Sequence, residues 1–66
     1  MDYYEYRGFR AKIDFDMEDD IYIGEVVGLD DSLNFHGNTE DEAVKMFHRS
    51  INNYIKLCEA FGKQIN

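Results

Sequence analysis

The densest set of potential ligand oxygens lies in Asp14-Phe15-Asp16-Met17-Glu18-Asp19-Asp20-Ile21-Tyr22-Ile23-Gly24-Glu25, whose acidic residues match several ligand positions of an EF-hand calcium loop. Such a loop turns sharply at a glycine in its sixth position and sits between two helices. Here the sixth residue is Asp19 and both flanks alternate in polarity like strands, so a solvated hairpin tip is expected instead. Asp14, Asp16, Glu25 and Asp30 raise a second chemistry, that of metal-dependent nucleases, which gather several carboxylates on a sheet. Asp14 and Asp16 also share the polar side of one expected strand, where solvated charges are ordinary. His36, His48 and Cys58 show no zinc-ligand spacing. Cys58 falls on an apolar helical stripe, which predicts a buried, inert thiol. Tyr3, Tyr4 and Tyr6 could stack on bases, but Asp2 and Glu5 beside them repel phosphate, so packing on a sheet edge or a partner is expected. Gly24 and Gly28 lie too far from a helix start to cradle phosphate and are read as relieving crowding or forming a bulge. No catalytic set, metal site or cofactor site is expected.

The elements that position these residues follow from periodicity. From Gly8 to Asp16, apolar Phe9, Ala11, Ile13 and Phe15 alternate with Arg10, Lys12, Asp14 and Asp16, the period-two pattern of a half-buried strand. After the acidic run Met17 to Asp20, the β-branched and aromatic segment Ile21 to Val27 predicts a second strand, completing a hairpin. Gly28, Asp30 and Asp31 supply turn chemistry, and Leu33 to Gly37 reads as a short third strand. At Thr39 the period changes. Thr39 with Glu42 forms a capping-box pattern, and Glu40, Asp41 and Glu42 suit the positive end of a helix dipole. Ala43, Phe47, Ile51, Tyr54, Ile55, Cys58 and Phe61 then recur at three- and four-residue intervals, predicting a helix from Glu40 to Phe61 with one apolar stripe, and Gly62 follows as its C-cap. The expected fold is α+β, a three-stranded antiparallel sheet followed by one long helix packed on one face.

Size and charge bound the function. With 66 residues there is room for a single domain, 1–66, with a thin core. A hydrophobic content of 44% with 15% aromatic residues argues for folding, not disorder. Fourteen acidic against seven basic residues leave a formal charge of −7, a poor surface for phosphate backbones or anionic lipids and a natural complement to a basic partner. The single cysteine forms no internal disulfide, and no signal peptide or membrane-spanning stretch is visible, so a cytoplasmic protein without membrane contact is expected.

The ordered set Phe9-x-Ala-x-Ile13, the acidic hairpin Asp16 to Asp20, Tyr22-x-Gly24-x-Val26-x-Gly28-Leu29-x-Asp31, Phe35-x-Gly37-x-Thr39, Glu42, Phe47 and Ile51-Asn52-Asn53-Tyr54-Ile55-x-x-Cys58-x-x-x-Gly62-Lys63 resembles the HicB-like antitoxins. The resemblance spans about Tyr6 to Lys63. It implies a reduced ribonuclease-H-like fold without catalytic residues, and a partner that is a small, basic, HicA-like messenger-RNA-cleaving toxin, neutralised by binding. Family members usually dimerise and carry a C-terminal DNA-binding segment. This sequence stops at Asn66, just after the helix, so neither that segment nor direct nucleic-acid binding is expected of the chain.

A non-catalytic antitoxin-like module is therefore expected, with Asp16, Glu18, Asp19, Asp20, Asp30 and Asp31 facing the toxin's basic RNA-binding surface. A homodimer is expected through a strand edge or the tyrosine-rich segment, with Tyr3, Tyr4, Tyr6 and Tyr22 as contacts. The alternatives are an orphan homo-oligomeric domain and a metal-dependent nuclease relic using Asp14, Asp16 and Glu25.

Overall fold

The computed structural model describes residues 3–29 and 32–62. Strands β1 (Tyr4–Tyr6), β2 (Phe9–Asp16), β3 (Ile21–Val27) and β4 (Asn34–Gly37) precede one helix, α1 (Glu40–Ala60). The α+β class and the terminal helix match expectation, but the sheet has four strands where three were expected, because Tyr4–Tyr6 folds back onto β2. Arg7 and Gly8 make this turn with φ of 53° and 84°. That is the positive-φ pair of a tight hairpin, with arginine where asparagine or aspartate is usual.

All neighbours are antiparallel and follow chain order, β1-β2-β3-β4. Register sorts the side chains. The pairs Tyr4↔Ala11, Ala11↔Val26, Ile13↔Gly24 and Gly24↔Phe35 set one face, whereas Lys12↔Glu25, Glu25↔Asn34, Asp14↔Ile23 and Ile23↔His36 set the other. The helix covers the first face and touches all four strands. Ala11, Val26, Phe35, Ala43, Phe47 and Ile51 are buried between them as one cluster. Phe47, fully buried, stacks on Phe35 at 5.5 Å between ring centroids and meets Tyr6 edge-on at 6.3 Å. Two glycines admit this close approach. A Cβ on Gly24 would overlap the Phe35 ring, and one on Gly37 would lie 2.5 Å from the Ala43 nitrogen.

The helix starts where the capping pattern places it. Thr39 Oγ1 accepts the Glu42 N–H at 3.1 Å, while Glu42 Oε1 accepts the Asn38 N–H at 2.7 Å, one residue earlier than in the usual reciprocal box. At the other end Phe61 is the C-cap and is 80% exposed, although the apolar stripe placed it in the core. Length explains the difference. Twenty-one helical residues span about 31 Å, whereas β2 from Phe9 to Phe15, itself 46% exposed, spans about 20 Å. Phe61, just past the end of this longer helix, is left exposed, while Cys58 remains buried. Among the described residues no helix is long and apolar enough to cross a membrane.

Candidate functional site

Three surfaces carry the residues singled out above. The first is the turn joining β2 to β3. Asp16 Oδ1 accepts the Glu18 N–H at 3.0 Å and the Asp19 N–H at 3.4 Å, closing the turn locally, and Asp20 takes φ of 58° to re-enter β3. The calcium-loop spacing thus falls on a hairpin with strands on both sides, and one carboxylate oxygen is already engaged by its own backbone. Glu18, Asp19 and Asp20 are exposed around Met17, which is 84% exposed. Asp30 and Asp31 lie outside the described residues.

The second surface is the tyrosine-rich segment with the neighbouring helix. Tyr4 donates its hydroxyl to Glu40, and Tyr6 donates to Asn52 Oδ1 at 3.1 Å. The Tyr6 ring stacks on His48 at 4.0 Å, and Arg7 donates to the same Asn52 oxygen at 2.9 Å. Tyr22 packs against Phe15 at 4.9 Å. These three tyrosines are half-buried and contribute to the molecule's own packing, whereas Tyr3 is 47% exposed with the Arg10 guanidinium 5.7 Å from its ring centroid. Stacking and hydrogen bonding orient each ring and tie β1 to the helix.

The third surface is the uncovered face of the sheet. It carries Arg10, Lys12, Asp14 and Asp16 along β2, Ile21, Ile23, Glu25 and Val27 along β3, and Asn34 and His36 on β4. Lys12, Asp14, Asp16, Ile23, Glu25 and Asn34 line a shallow concavity of about 350 Å³. Asp14, Asp16 and Glu25 share this face, yet among the described residues no three Asp, Glu, His or Cys side chains are grouped to hold a metal ion. Glu25 lies opposite Lys12 in the ladder, a separation of charge that favours pairing over carboxylate clustering. The aliphatic row Ile21, Ile23, Val27 was not singled out from the sequence. Its signal was present, since period two places these residues opposite Tyr22, Gly24 and Val26, but the covered side is decided by cross-strand register.

Compared with family models, curated proteins and solved structures, the chain matches none of them.

Proposed function

We propose that this protein is a HicB-like, non-catalytic antitoxin module that neutralises a small basic messenger-RNA-cleaving toxin of the HicA-like kind in the cytoplasm, by occupying the toxin's RNA-binding surface. The observation that carries the proposal is the acidic β2–β3 tip, where Glu18, Asp19 and Asp20 are exposed next to exposed Met17 in a chain of formal charge −7. A surface built to meet RNA phosphates is met equally well by carboxylates. Long-range attraction steers the encounter, and the adaptable apolar side chain of Met17 on the same turn contributes to affinity. The ordered motif series from Phe9 to Gly62 supports the same family. The active species is proposed to be a homodimer, the commonest symmetric assembly.

Affinity purification of the tagged protein, expressed with its neighbouring genes, tests the proposal. A small basic protein encoded next to it should co-purify at stoichiometric ratio, and its RNA cleavage should be silenced by adding this chain. A neighbouring product that neither binds nor is inhibited would overturn the assignment.

A further inference from the structure

We infer that the uncovered face of the sheet is a self-complementary surface on which a second copy of this chain docks face to face. This rests on the proposal that the protein is a homodimer, and adds to it the surface and the symmetry.

The argument begins with β2, whose outward row reads Arg10, Lys12, Asp14, Asp16, two cations followed by two anions. A two-fold axis running along β2 itself would lay like charges on one another, and one running between β2 and β3 would lay only Lys12 on an opposite charge, Glu25. An axis crossing the strands above Ile13, Gly24 and Phe35, which are ladder partners, reverses strand direction and sets Lys12 over Asp14 and Arg10 over Asp16 of the other copy. The same operation acts on β3 and β4. Ile21 meets Val27, and Asn34 meets His36, leaving Ile23 over Glu25 as the one unlike pair. On each copy Glu25 lies opposite Lys12 in the ladder, so its carboxylate can turn towards that cation and leave Ile23 apolar company. Ile13, Gly24 and Phe35 all point to the helix side, so no outward side chain occupies the axis itself.

Stacked sheets pack about 10 Å apart with strands inclined by about 30°. The long Lys12 and Arg10 side chains can span the sideways offset this inclination creates. Ile23, 41% exposed, with Ile21 and Val27 forms the apolar strip, and the charged β2 row flanks it. Apolar burial would then contribute affinity, while the charges choose the antiparallel orientation over the parallel one. By contrast Tyr4, Tyr6 and Tyr22 are engaged within the molecule, whereas Ile23 is exposed on the uncovered face beside the charged row whose order fits a second copy.

Charge exchange across the axis provides the test. Sedimentation equilibrium of the full chain at physiological salt should show a reversible dimer. Lys12→Glu should weaken it by roughly tenfold, because two attractive pairs become repulsive, and Asp14→Lys should do the same. The double variant Lys12→Glu/Asp14→Lys restores opposite charges across the axis and should recover part of the lost affinity, short of the original because Glu25 loses its cation in the ladder. Circular dichroism melts of all three variants check that each is folded; these positions are on the surface, and Ile23→Lys offers a second disruption that changes no charged residue of the β2 row. Recovery in the double variant supports the inference. A dimer indifferent to both single reversals and to Ile23→Lys, or a double variant no better than the singles, overturns this face while leaving dimerisation intact. A strict monomer at high micromolar concentration overturns both.

Discussion

Thr39 and Glu42 show how few atoms decide where the helix begins. One hydroxyl and one carboxylate satisfy two backbone N–H groups at the junction between β4 and α1. Thr39→Ala removes the first and should lower stability by about 1 kcal/mol in chemical denaturation. Unchanged stability would show that Glu42 alone suffices. Gly24 is a different kind of determinant, since it contributes absence. The Phe35 ring occupies the place where its side chain would be, so Gly24→Ala should force Phe35 and Phe47 out of register at a cost of about 1–3 kcal/mol. Urea titration measures this loss, and the smaller side chain of Phe35→Leu in the same background should recover part of it.

Among the elements, β2, β3, β4 and α1 were readable and the three-residue β1 was not. The alternation from Phe9 to Phe15, the β-branched segment from Ile21 and the cap at Thr39 identified β2, β3 and the start of α1, because each pattern repeats over enough residues to be distinctive. Tyr4–Tyr6 offers three residues and a turn with arginine in place of asparagine, too little local signal to separate an edge strand from a polar tail. Phe61 fails for another reason. Helical periodicity reports which way a side chain points but not whether a sheet still lies beneath it, so Phe61→Ser should change stability by less than about 0.5 kcal/mol. Of the candidate site, the acidity of the β2–β3 tip was legible from composition, whereas the destinations of Tyr4, Tyr6 and Tyr22 depended on long-range contacts that no local pattern contains. The tip is also the element on which partner binding can be read. Glu18→Lys with Asp19→Lys should slow association with a basic toxin by roughly tenfold at low salt, with a smaller effect on dissociation, as stopped-flow measurements would resolve.

At the scale of the whole molecule, the body is elongated, 39 × 21 × 17 Å, with the acidic tip beyond the Asp16 end of β2 and Tyr54 of the helix packed on Phe9 at the other end of that strand. Toxin binding at the tip and self-association through the uncovered sheet face would use adjoining surfaces that share Asp16, at the end of β2. The neighbour-to-neighbour strand order also governs how quickly this body is built. Each strand finds its partner across a short connection, so the loops that must close within the sheet are small, and the longer closures that bring the helix onto β1 follow once the sheet is in place. Such local wiring predicts refolding on the millisecond scale or faster. The chain has no proline, which removes the usual source of a phase lasting tens of seconds. Stopped-flow refolding should thus show one rapid, concentration-independent relaxation, with any slower phase accelerating as protein concentration rises, since only the meeting of two finished copies remains to be completed.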